Sequence, residues 1–282
     1  MPSLLEQTAF VLEYTLVLAG LVFLAWFFLS PAGRAVRARP PALPAWNVTL
    51  TDFLFLAWLV VTLGFIGQLL LRLTIGPVFR ALPEGETIEL IVYGSMFHIG
   101  AILTWVVARL RARRRRGADP VEPPRPHASF PQIVRGAMLT FLTIMPLASG
   151  TGLLWEQLLE AAGLPTERQE LVDLFTQTQS PLLLVSMVAL ALVIAPISEE
   201  LVFRGGLFRF LLPRSPRWVA YGASATLFAL LHANWISFLP LFVLGVVFAA
   251  AYERTGRIAV PMVAHALFNL NTLLLVLSGV GQ

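Results

Sequence analysis

The chain of 282 residues contains no cysteine and no lysine. Without cysteine there is no disulfide, no thiol nucleophile, no cysteine-held zinc and no iron–sulfur cluster. Without lysine there is no Schiff base and no lysine general base, and all 20 basic residues are arginine. Histidine is scarce as well. Near-neutral acid–base chemistry and nitrogen ligation rest on four side chains, His98, His127, His232 and His265. Charge is thin: 13% of residues, against about 25% in an ordinary soluble domain. What fills the space is apolar, 57% of the chain. That balance excludes a cytosolic enzyme, a disordered chain and a secreted disulfide scaffold. It points to a protein dissolved in lipid. The sequence holds no internal repeat, no dinucleotide fingerprint, no Walker loop and no HExxH.

A bilayer crossing needs roughly 20 mainly apolar residues. Stretches of that kind lie near 8–30, 50–71, 88–108, 131–153, 181–212, 218–235, 237–252 and 259–280. They predict an all-α, polytopic integral membrane helix bundle of about eight transmembrane helices. Pro196 should kink the long fifth span, and one of the short sixth and seventh spans has the look of a re-entrant segment. The first span reads as an anchor, since Glu6 and Glu13 precede or enter it and Arg34, Arg37 and Arg39 follow it. With the N-terminus outside, the inner loops collect those arginines, the run at 109–116, Arg125, Arg135, Arg209, Arg214, Arg217, Arg254 and Arg257. The outer loops collect acids at Glu84, Glu86, Glu89, Glu156, Glu160, Glu167, Glu170 and Asp173. The Arg run at 113–116 is thereby a topology and lipid-headgroup signal, and no nucleic acid is expected as partner. The expected location is a prokaryotic inner (plasma) membrane. Residues 1–116 form an N-terminal region of three helices, 117–130 a Pro-rich cytoplasmic linker carrying a solvated His127, and 131–282 a C-terminal region of five spans. Acidic, amphipathic surface helices are expected around 154–162 and 166–176. Glu13 and Asp52, near span ends, are expected to reach headgroups or water.

Charged and strongly polar groups inside hydrocarbon face a protein interior or a water cavity. Three such groups fall in the C-terminal region. Glu200 and Arg204 are four apart, share a helix face and can pair. Glu199 points about 100° away and stays free of that arginine. A carboxylate in such a site is suited to act as a general base. Phe228 and His232 share a second face. His265 and Asn269 share a third, and two donors aimed one way are what an oxyanion requires. Together, Glu199 and His232 would polarise a water, while His265 and Asn269 would hold the oxyanion, splitting a peptide bond without a covalent nucleophile. Ser198 and Ser224 have no adjacent histidine in sequence, so a serine triad is not signalled. His98 reads as a packing or hydrogen-bonding residue.

These residues carry a family resemblance. Glu-Glu-x-x-x-Arg with Phe-Arg-Gly (Glu199, Glu200, Phe203, Arg204, Gly205), Phe-x-x-x-His (Phe228, His232) and His-x-x-x-Asn (His265, Asn269) resemble the three motifs of the CPBP intramembrane proteases. That family includes the type II CAAX prenyl endopeptidases and bacterial Abi-type proteins. The resemblance covers about residues 181–275 and leaves the first three spans unmatched. It implies that Glu199 activates water with His232, that His265 and Asn269 form the oxyanion site, and that Glu200 and Arg204 hold the first motif and the substrate. It also implies a helical membrane fold with a cavity reached from the cytoplasmic side, acting on a peptide or protein substrate at the membrane, CAAX-like and lipidated in part of the family. No cofactor is expected on this reading. A zinc metalloprotease using Glu199, His232 and His265 as ligands is the alternative. A transporter or proton relay built on the same charges, and an inactive scaffold or immunity partner, are the others.

Overall fold

The computed structural model describes residues 3–44, 46, 48–116, 129–164, 166, 175 and 178–279. Most of the linker at 117–130, His127 within it, and most of the expected helix at 166–176 lie outside the described residues. Every regular element among those described is helical. In chain order these are α1 (Leu4–Leu29), α2 (Pro31–Ala38), α3 (Leu50–Thr74), α4 (Gly76–Arg80), α5 (Gly85–Arg116), α6 (Phe130–Ala161), α7 (Pro181–Leu211), α8 (Arg217–Leu230), α9 (Trp235–Thr255) and α10 (Ala259–Ser278).

Seven of these helices are long and apolar enough to cross a bilayer: α1, α3, α5, α6, α7, α9 and α10. The expected sixth span, 218–235, is the exception. Its helix α8 has 14 residues, about 21 Å at 1.5 Å per residue, short of a roughly 30 Å hydrocarbon core. Local chemistry ends it early. Ala233 adopts a left-handed backbone at φ 50°, and Asn234 caps the next helix by accepting from Ser237 N–H at 3.0 Å. The expected surface helix at 154–162 is likewise not separate. It is the end of α6, which runs unbroken to Ala161.

Helix α7 departs from regular geometry where Pro196 predicts trouble. Leu190–Ile194 and Leu201–Phe208 are π-helical turns flanking the stretch that holds Glu199 and Glu200. A proline has no N–H to give and crowds the carbonyl four residues back; a π-turn widens the coil and relieves that clash. The interior forms where α6, α7, α8, α9 and α10 meet, around Ile144, Phe203, Phe228, Leu244 and Phe248. In lipid that association rests on close packing and hydrogen bonds, because hydrocarbon chains solvate leucine as well as protein does. Gly245 shows the closeness: a Cβ there would meet Ala225 at 2.8 Å and the Arg204 guanidinium at 3.3 Å. The outer surface of α1 keeps Leu18, Leu21 and Val22 exposed, as a lipid-facing helix does.

The arginine-rich connections gather at one end of the bundle. Arg254 donates to Val36 O at 2.6 Å, Arg214 donates to Trp46 O and Val48 O, and Arg217 pairs with Glu253 at 2.7 Å. At the other end of α9, Trp155 on α6 donates its indole N–H to Trp235 O at 2.6 Å. Glu13 does not reach toward headgroups. Its carboxylate accepts from Asn271 Nδ2 on α10 at 2.7 Å and from Ser149 Oγ on α6 at 3.4 Å. Helix α1 is thus bound to the C-terminal region by polar contacts inside the membrane.

Candidate active site

Glu200 and Arg204 lie one turn apart on α7 and both are fully buried, with Nη1 and Oε1 2.9 Å apart. The guanidinium sits against three aromatic rings, 4.4 Å from the Phe228 centroid, 5.2 Å from Phe248 and 5.8 Å from Phe203. Its Nε and Nη2 have no hydrogen-bond partner among the described residues. The aromatic faces and the Glu200 carboxylate are therefore the direct contacts of a charge held out of water.

Glu200 has a second partner. The same Oε1 accepts from His265 Nδ1 on α10 at 3.2 Å. Arg204, Glu200 and His265 form a chain, and the carboxylate fixes the orientation of the imidazole as an acid does in a catalytic triad. Phe248 stacks on the His265 ring at 5.0 Å and Phe228 meets it edge-on at 5.9 Å. The other ring nitrogen, Nε2, faces Glu199 Oε2 at 3.8 Å. That separation is too long for a direct hydrogen bond. It suits two groups that both reach one small molecule beside them. Glu199 Oε2 is shielded from solvent and has no donor among the described residues, although the side chain keeps 14% of its surface open.

His232 falls in the turn after α8, not inside a span. Its Nδ1 donates to Phe228 O at 2.8 Å, and its ring rests edge-on against Phe228 at 4.9 Å. With Nδ1 committed to a carbonyl, Nε2 keeps the lone pair and is the basic face of the ring. Phe228, completely buried, is the hub on which Phe203, Arg204, His232 and His265 all rest.

Asn269 is engaged elsewhere. Its Nδ2 donates to Ala191 O at 2.8 Å. The cause lies in α7. In the π-turn the bonding pattern runs five residues back, as Ala195 N–H to Leu190 O does. The next donor in that series would be Pro196, which has none. Ala191 O is left without a backbone partner, and Asn269 supplies it across the helix interface. One of the two amide hydrogens of Asn269 is spent in this way.

A fifth side chain joins this cluster. His98 on α5 shares a 2.6 Å hydrogen bond, through Nδ1, with Ser198 Oγ beside Glu199, and Glu199 and His232 are both close enough for their charges to act on its ring. Sequence reasoning set it aside, because its partner is 100 positions away and nothing near it in sequence completes a site. The other signal was depth: a histidine mid-span, like Arg204.

Flanking the polar cluster is a cavity of about 670 Å³ between α3, α5 and the second π-turn of α7. Phe53, Val60, Phe97, Phe203 and Leu231 are among its walls, with Arg109 and Arg209 as its charged lining. Glu199, His232 and His265 do not line it. Among the described residues, no three or more histidine or acidic side chains form a group suited to a metal ion.

The class of protein is set by these features: an integral membrane helix bundle with acid and imidazole side chains from separate helices brought together within it. Its place within that class comes from comparison. Residues 181–271 match the family model described as type II CAAX prenyl endopeptidase Rce1-like. All three motifs lie inside the match, while α1 to α6 lie outside it. The UPF0177 protein YbdI of Lactococcus lactis is 37% identical over 87 residues, which cover 30% of this chain and 46% of that protein. The membrane-embedded CAAX protease MroQ of Staphylococcus aureus is 41% identical over 86 residues, 27% of this chain and 34% of that protein. The chain thus spans less than half the length of these curated relatives. No solved structure matches it.

Proposed function

We propose that the protein is a membrane endopeptidase that hydrolyses a peptide bond of a membrane-associated substrate with a water activated by glutamate. The observation that carries this reading is the pairing of Glu199 with His265. A shielded carboxylate oxygen without a donor among the described residues lies 3.8 Å from an imidazole nitrogen, and Glu200 holds that imidazole from its other side. Glu199 takes a proton from water, and the Nε2 lone pair of His232 assists. The hydroxide adds to the scissile carbonyl carbon. His265, when protonated on both nitrogens, donates Nδ1–H to Glu200 and offers Nε2–H to the oxyanion, with the remaining amide hydrogen of Asn269 as second donor. The proton held by Glu199 then passes to the leaving amine. Glu200, Arg204 and Phe228 hold the geometry. The apolar cavity beside the motif suits the hydrocarbon-soluble part of a substrate that stays in the bilayer, of the kind the name of the staphylococcal relative describes. The arginine-rich end faces the cytoplasm of a prokaryotic cell, with the N-terminus outside.

The test is cleavage of bilayer-anchored peptides by the purified protein in liposomes. Glu199→Gln and His232→Ala should each lower kcat at least about 100-fold, and activity should survive a metal chelator. Full activity in either variant overturns the mechanism. Loss of activity on chelation, restored by zinc, favours the metalloprotease. Proton flux without any cleavage favours a relay.

A further inference from the structure

His98 is used by no step above and belongs to α5, outside the matched family region. Its place is nevertheless closely determined. Two residues further along α5, Gly100 abuts a π-helical turn within α3 at Thr62–Ile66, where an added Cβ would come within 2.7 Å of Gly64 N. Phe65 from that same turn lies edge-on to Phe97. This contact of glycine on glycine sets the depth and rotation of α5 in the bundle. It directs His98 to Ser198, which is fully buried. The hydroxyl of Ser198 donates to Ala195 O at 3.0 Å. A hydroxyl has one hydrogen, so its oxygen accepts from His98 Nδ1–H at 2.6 Å. The Nε2 of His98 is left as the basic nitrogen. The ionisable groups that act on this ring are Glu199 from α7 and His232 from the turn after α8; α3 contributes Gly64 and Phe65.

We propose that His98 is a positioning residue of the hydrolytic site, holding through Ser198 the turn that presents Glu199 and coupling its own protonation to that carboxylate. The N-terminal helices then supply a working part of the site and not only a lipid-facing wall. This inference rests on the endopeptidase reading. A hydrogen bond that merely joined two helices would leave the ionisation of Glu199 alone. A ring whose charge is felt at Glu199 does not, because neighbouring charges interact strongly away from bulk water.

Two measurements separate these roles. In the cleavage assay, His98→Gln should lower kcat about tenfold, the worth of one hydrogen bond near a charged reacting group, and should displace the acidic limb of the kcat/KM profile against pH. An equal loss at every pH overturns the proposal. The second measurement keeps His98 in place: NMR titration of its ring in detergent-solubilised wild type and in Glu199→Gln. Distinct titration curves are expected, and superimposable curves overturn the coupling. If the wild type cleaves nothing while the two curves differ, the endopeptidase reading fails and the coupling of His98 to Glu199 stands.

Discussion

Glu199 and Glu200 have the same chemistry and adjacent positions, yet a helix turns about 100° between them and gives them different neighbours. Glu200 is bound on one side by Arg204 and on the other by His265. Glu199 has an open oxygen. Neutralising each should therefore fail in different ways. Glu200→Gln leaves the Arg204 charge buried among three rings with its hydrogen-bonded anion removed, and should cost about 3–5 kcal/mol of stability. Glu199→Gln should abolish cleavage and leave stability within about 0.5 kcal/mol of wild type. Denaturation of both variants in detergent checks this; equal destabilisation would show that the two acids share one structural role. The pairing of Glu200 with Arg204 was legible from their spacing. Its extension to His265 was not, because it joins positions 65 apart whose approach depends on how α7 and α10 cross. His98 was illegible for the same reason.

Helix α7 shows how one irregularity recruits help from a neighbour. The missing N–H of Pro196 strands Ala191 O, and Asn269 answers it. The sequence motif His-x-x-x-Asn correctly put Asn269 on the face of His265, but the carbonyl it serves exists only because the backbone there winds as a π-turn. Replacing Asn269 by leucine should cost about 1 kcal/mol, as intramembrane helix–helix hydrogen bonds do. Pro196→Ala restores a donor within α7, so the double variant should recover most of that loss. Thermal unfolding of the two single variants and the double variant measures this, and strictly additive losses would refute the link. Helix α8 is the complementary case. Its apolar run reads as a span, whereas Ala233 and Asn234 stop it early. That stop is what brings His232 to the end of a helix, where its Nδ1 can reach the carbonyl of Phe228.

For the assembled protein, the arrangement of helices was largely legible from hydropathy and arginine placement: the spans fall where apolar stretches lie, and the arginine-rich connections meet at one end. The contacts across regions were not, since Glu13 meets Asn271 and Ser149 only once α1 has docked on α6 and α10. The lack of cysteine makes the topology directly measurable, because a single introduced thiol is the only one present. In intact cells a membrane-impermeant maleimide should label Glu86→Cys and spare Ala35→Cys until the membrane is opened. Both positions are exposed. The reverse pattern would invert the proposed orientation.

The segment between α2 and α3 has its own bearing on how the protein can be studied. Ala42 N–H and Leu43 N–H both donate to Glu253 O at the end of α9, Arg214 grips the same strap at Trp46 O, and Arg254 holds α2 at Val36 O. The amino-terminal helices are therefore stitched to the matched region at the arginine-rich end. Excising residues 130–282 as a minimal enzyme would strip away the strap, the partner of Ser198 and one side of the cavity in a single cut. Any evolutionary shuffling of the amino-terminal helices would have to carry those three attachments along with it.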